Sequence, residues 1–173
     1  ERELKKTDSV LAIIPARGGS KGIPRKNVVE LAGRPLVAHT IVTARAAASV
    51  DRVVVSTDDD EITAVSRWFG AEVVRRPAEI SGDEASSEQA LLHVLDHLER
   101  EEGYEPDLVV FLQCTAPLME PEDVDGTVRA LLDAEADSAL AVTPFHYFLW
   151  RRGEDGSAVG VNHDPGVRLL RQQ

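Results

Sequence analysis

The chain has 173 residues, 43% hydrophobic and 28% charged, a balance that suits one soluble globular domain and excludes a fibrous or disordered protein. Its 30 acidic residues outweigh 19 basic ones for a formal net charge of -11, which excludes a broad nucleic-acid or anionic-membrane footprint, so any anion site must be built locally. The single cysteine, Cys114, excludes a disulfide framework or thiolate metal cluster and fits a reducing cytoplasm, and no apolar stretch suits a signal peptide or a membrane span.

In chain order, the apolar run 10–14 predicts a buried strand, followed by a helix with Val37, Ile41, Ala44 and Ala48 on one face. Residues 53–56 predict a second strand, and the next helix carries Ile62, Val65 and Phe69 and ends at Gly70. Residues 72–75 read as a short third strand, and Leu91, Leu95 and Leu98 mark a longer helix. The bare "LVVFL" run at 108–112 predicts a central strand buried on both faces. Pro121 suits the first turn of a helix striped by Val124, Val128 and Leu131, and 138–142 predicts one more strand. This alternation predicts an α/β fold, a doubly wound, mostly parallel sheet with right-handed crossovers. After Pro144 the pattern changes, and an Asp155-Gly156 turn between two strand-like runs predicts a β-hairpin or arm over 144–165 outside the main sheet. No internal repeat or linker divides the chain, so 1–173 reads as a single domain. The opening lacks an initiating Met and "RLLRQQ" lacks a turn or capping signal, so both ends read as trimmed or disordered and the domain as cut short at its C-terminal side.

The first strand exits into "IIPARGGSKGIPRKN", residues 13–27. In an open α/β sheet, ligands bind beyond the carboxyl ends of the strands. Gly18, Gly19 and Gly22 let the backbone approach a ligand there, while Arg17, Lys21, Arg25 and Lys26 can neutralise phosphate charge, so a polyphosphate is the ligand this chemistry suits. The string contains neither G-x-x-x-x-G-K-[ST] nor G-x-G-x-x-G, which disfavours a P-loop ATPase or a dinucleotide enzyme. The carboxylates of "STDDDEI" invite a metal reading, but a cap is favoured: Ser56, Thr57 or Asp58 can cap the following helix, and Asp59, Asp60 and Glu61 suit its positive first turn. Cys114, at a buried strand end without an adjacent His or Lys, reads as an inert packing residue, and His39 as a packing or interface residue.

The whole string "IIPARGGSKGIPRKN" resembles the signature of the CMP-sialic acid synthetases, the acylneuraminate cytidylyltransferases, and the resemblance continues in order through "RVVVSTDDDEI", "RPAEISGDEASS", "LQCTAPL" and "RQQ". It implies a Rossmann-like nucleotidyltransferase fold. It further implies an enzyme that joins CTP to a nine-carbon 2-keto acid sugar, forming a CMP-sugar and pyrophosphate. By the resemblance, Arg17 and Lys21 would hold the phosphates of the leaving pyrophosphate, with Gly18, Ser20, Lys26, Asn27, Arg76 and Ser87 as further nucleotide contacts. Gln113, Arg151, Arg171 and Gln172 would place the acceptor sugar, Arg171 anchoring its carboxylate and counting with Arg17 and Lys21 as catalytic. Ser86 is open to a helix-capping reading, and Asp83 reads as a turn residue. His146 falls where the family has a His-Pro pair followed by a cation, which Arg151 would supply. "LQCTAPL" departs from the family's usual "LQPTSPL" at Cys114 and Ala116. Magnesium is implied as cofactor, with its aspartate ligands downstream of Gln173 and none within this chain. A homodimer joined through the aromatic "FHYFLW" arm is implied as well. Alternatives are the same chemistry on legionaminic, pseudaminic or a shorter keto-deoxy acid, or a catalytically silent nucleotide-binding module.

Overall fold

A computed structural model describes residues 9–82, 85–144, 148–164 and 166. The chain divides into two compact units, residues 1–141 and 142–173. In the first, β1 (Val10–Pro15) leads through a short hairpin of β2 (Glu30–Leu31) and β3 (Arg34–Pro35) into α1 (Leu36–Ala46). The chain continues as β4 (Arg52–Thr57), α2 (Asp60–Trp68), β5 (Glu72–Arg75), α3 (Ser87–Glu102), β6 (Leu108–Phe111) and α4 (Pro121–Asp133).

The main sheet has the order β5-β4-β1-β6 and every pairing in it is parallel. The chain winds outward from β1 to β4 and β5, then returns over the sheet to β6 on the other side of β1. The two directions of winding therefore part between β1 and β6, the topological switch point at which open α/β sheets form a crevice.

Period-2 alternation in β1 builds the core on both faces. Ala12 and Ile14 pack with Val37 and Ile41 of α1, Ile62 of α2 and Val124 of α4, whereas Leu11 and Ile13 pack with Val54, Val74 and with Val94 and Leu98 of α3. The fold is the predicted doubly wound α/β class, with helices on both faces of a parallel sheet.

Several local expectations change. The "LVVFL" strand is β6 at the sheet edge rather than a central strand, with Val109 41% and Phe111 38% exposed. Residues 138–142, predicted as a strand, form none, and Leu140 is 78% exposed, so among the described residues no strand covers that side of β6. An apolar run states that a strand is buried or half-buried, while its place in the sheet depends on long-range pairing. α1 ends at Ala46, so Ala48 lies in the turn beyond it. The cap of α2 is Asp59, one residue past the expected set, because its Oδ1 accepts the N–H groups of Glu61 (2.9 Å) and Ile62 (3.0 Å). The β2–β3 hairpin was not foreseen; its turn places Ala32 at φ 48° and Gly33 at φ 83°, a left-handed pair for which Ala gives little warning.

In the second unit, β7 (Trp150–Arg152) and β8 (Ala158–Gly160) form the predicted antiparallel hairpin, a sheet of its own. Asp155 Oδ1 accepts from the N–H and hydroxyl of Ser157, and Gly156 takes φ 83° in the turn. The predicted Phe145, His146 and Tyr147 of the arm lie outside the described residues.

Candidate functional site

Because the sheet is parallel, the loops after β1, β4, β5 and β6 leave the same edge. A cavity of about 610 Å³ opens there. Its lining includes Arg17, Ser20, Lys21, Lys26 and Asn27 from the loop after β1, and Arg76 from the end of β5. Ser87 at the start of α3 and Gln113 beyond β6 line it too, whereas Gly18, expected as a nucleotide contact, does not. Four cations face this space, and among the described lining residues there is no Asp or Glu. A local cluster of cations thus stands in an acidic chain. Phe111, Cys114 and Thr115 also line it; Cys114 and Thr115 fall within "LQCTAPL", yet none of the three was read from sequence as a site residue.

The loop is closed at its base, where Asn27, itself buried, donates from Nδ2 to the Arg17 carbonyl at 2.9 Å. Arg17 Nη1 donates to the Gly82 carbonyl at 2.8 Å, linking the first loop to the one after β5. Gly18 is turned toward the protein: its N–H donates to Asp58 Oδ1 at 2.9 Å, and a Cβ there would lie 2.7 Å from Asp59 Oδ2. Arg25, read from sequence as a phosphate cation, instead pairs with Asp59 (2.5 Å) and Glu61.

Arg76 is only 8% exposed. Its Nε donates to Ser56 Oγ (3.1 Å) and an Nη to the Ser56 carbonyl (2.8 Å). Burial holds its pKa below the usual arginine range; Asp58 opposes this shift and Arg17 adds to it by like-charge repulsion. Two guanidiniums close enough to repel, one of them desolvated, favour an incoming anion. The start of α3 adds the positive end of a 16-residue helix, capped reciprocally by Ser86 and Gln89 (3.3 and 3.0 Å), with Ser87 as its first residue.

Cys114 is buried and free, and burial pushes its thiol up to about 11, so at neutral pH it is a protonated packing group. His39 Nε2 meets the Leu31 carbonyl at 2.7 Å, tying α1 to the β2–β3 hairpin. The acidic turn is committed elsewhere, Asp58 to Gly18, Asp59 to the cap of α2 and Arg25, and Asp60 to Arg75 (2.8 Å). Among the described residues no group of three or more His, Cys, Asp or Glu converges as a metal site. Arg151 belongs to the second unit's hairpin, and Asp83, Arg171 and Gln172 lie outside the described residues.

A family model described as Cytidylyltransferase matches residues 11–161. The chain is 36% identical over 171 residues to N-acylneuraminate cytidylyltransferase A of Danio rerio, which covers 97% of this chain and 39% of that protein. It is 36% identical over 142 residues to a pseudaminic acid cytidylyltransferase of Campylobacter jejuni, covering 82% of this chain and 61% of that one. A structure of CMP:2-keto-3-deoxy-manno-octonic acid synthetase complexed with CTP superposes with TM-score 0.62 at 27% identity, over 74% of this chain and 49% of the other. The fold is also that of a 4-diphosphocytidyl-2C-methyl-D-erythritol synthase, with TM-score 0.68 at 19% identity over 94% of this chain and 71% of the other.

Proposed function

Because the chain belongs to the cytidylyltransferase family, we propose that it takes part in cytidylyl transfer from CTP to a sialic acid-like sugar. In that reaction a hydroxyl oxygen of the sugar attacks the α-phosphorus of CTP. The bond from that phosphorus to the bridging oxygen breaks, pyrophosphate leaves, and the hydroxyl proton is released. No covalent enzyme intermediate is required, so the protein's work is positioning and charge stabilisation.

The observation that carries this reading is the convergence of Arg17, Lys21, Lys26 and Arg76 on one cavity at the switch point of the sheet, with no Asp or Glu among its described lining residues. Arg17 and Lys21 hold the β- and γ-phosphates as the leaving group gains charge, while Ser20, Lys26, Asn27, Arg76 and Ser87 hold the rest of the nucleotide. Gln113, which lines the same cavity, takes the acceptor sugar in this reading. Arg151, Arg171 and Gln172 complete the sugar site in this reading, Arg171 taking the carboxylate. The arm over 144–165 joins two copies of the chain. The relatives named for acylneuraminate and pseudaminic acid support a nine-carbon sugar acid. Magnesium belongs to the reading through the family resemblance, but the described residues supply no donor set for it, so no step here runs through a metal. No described helix is long and apolar enough to cross a membrane. A reducing cytoplasm is the setting this reading assumes.

The test is calorimetry with CTP and CMP, together with mass detection of CMP-sugar from a panel of sugar acids. Charge-assisted contacts to phosphate contribute about 1.5–3 kcal/mol each, so Arg17→Ala is expected to weaken CTP binding by about tenfold or more and CMP binding far less. Equal losses for both nucleotides would remove the polyphosphate role.

A further inference from the structure

The loop at residues 16–27 sets two problems for itself. A glycine-rich segment loses much conformational freedom when ordered, and bringing several cations together in one loop carries an electrostatic cost. The contacts beneath it address both. Among its fixed points within the described residues, some are internal, such as Asn27 to the Arg17 carbonyl and the Lys26 N–H to the Ile23 carbonyl, while Ala16 reaches Ser56 and Arg17 reaches Gly82. Others fall on the turn after β4: Gly18 N–H to Asp58, and the Arg25 guanidinium to Asp59 and Glu61. Arg25 also holds a left-handed backbone, φ 57° and ψ 24°, which a residue with a Cβ adopts at a cost and keeps when its surroundings hold it there. Gly18 meets Asp59 at a distance that leaves no room for a Cβ, so loop and turn are fitted to each other at two points seven residues apart in the loop, Gly18 and Arg25.

We propose that Arg25 is a positioning residue: by pairing with Asp59 and Glu61 it ties the basic loop to the acidic turn and holds Arg17, Lys21 and Lys26 at the cavity before a ligand arrives. The inference rests on the nucleotide reading above and deepens it. The acidic turn is thereby the loop's anchor and counter-charge. Arg25 at 46% and Glu61 at 61% are exposed while Asp59 at 16% is partly buried, so the pairs lie at the solvent margin, contribute modestly to global stability and act locally on the loop. That locality separates a positioning role from a structural one.

The experiment uses the full chain and two variants that spare the backbone. Arg25→Asn keeps a residue tolerant of the left-handed region, and Asp59→Asn keeps an oxygen able to cap α2 while removing the charge. Amide hydrogen exchange at Gly18, Lys26 and Val28 in the ligand-free protein is expected to quicken about tenfold in each, with β1 amides and the melting temperature little changed. CTP affinity is expected to fall about fivefold, CMP affinity less, and the double variant to be no weaker than the weaker single one, since both remove the same contact. Arg25→Lys should recover most of the loss. Unchanged loop exchange in Arg25→Asn, or losses that multiply in the double variant, would overturn the tether. If the unmodified chain binds no CTP, the nucleotide reading fails, and the exchange result still decides for or against the tether.

Discussion

Arg76 brings a desolvated charge into the first unit and, among the described residues, forms no ion pair; its donors go to Ser56. A buried charge held this way costs stability, and apolar groups of similar volume often replace it at no loss. The Ser56 carbonyl also accepts the Ala16 N–H at 2.9 Å, so removing the guanidinium does not strand it. Arg76→Met is therefore expected to leave the melting temperature unchanged or raised while CTP affinity falls about tenfold, a pairing of calorimetric and thermal measurements that a merely structural arginine would not produce. A fall in both would make Arg76 a structural residue.

Among the elements, α3 carries a pH-dependent contribution to stability. His93 is half-buried on this helix, its ring stacked toward His97 at 6.4 Å between centroids and its Nδ1 without a hydrogen-bond partner among the described residues. Burial foremost, then the charge of His97, then Arg76 and Arg100, lower its pKa below the ordinary 6.5, with Asp96 opposing. The folded state thus binds fewer protons than the unfolded chain between the folded and ordinary values. Stability from this group is complete above the ordinary value, declines as pH falls through that window, and is gone below the folded value. Denaturant unfolding at several pH values from about 5 to 7 should show this slope, and His93→Gln should flatten it. An unchanged slope would assign the pH response to other groups.

At the scale of the whole molecule, the second unit carries the feature that bears on assembly. Phe148, Leu149, Trp150 and Val161 are all exposed, Trp150 at 53%, and His163 lies against the Phe148 and Trp150 rings at 4.6 and 4.7 Å. An exposed aromatic cluster on so short a hairpin fits a surface that a second copy covers, the dimer of the proposed function. Sedimentation of the protein carrying Phe148→Asp and Trp150→Ser is expected to show monomers at low micromolar concentration with weakened sugar binding. A persisting dimer with normal sugar affinity would confine the cluster to its own chain.

Local composition was enough to reveal β1, β4 and β5 as apolar runs, the helices between them as 3.6-residue stripes, the Asp155-Gly156 hairpin, and the basic glycine-rich loop at a strand exit where parallel sheets bind ligands. These follow from short-range periodicity and turn chemistry, which are written in neighbouring residues. Only the tertiary structure placed β6 at the edge, because strand order depends on pairing between residues far apart in the chain. Only there did Arg25 part from Arg17, Lys21 and Lys26: four cations in one loop look alike in sequence, but the turn after β4 brings Asp59 and Glu61 beneath one of them and leaves the others at the cavity. Burial of Arg76 was equally hidden, since desolvation is a property of what packs around a side chain rather than of the side chain itself.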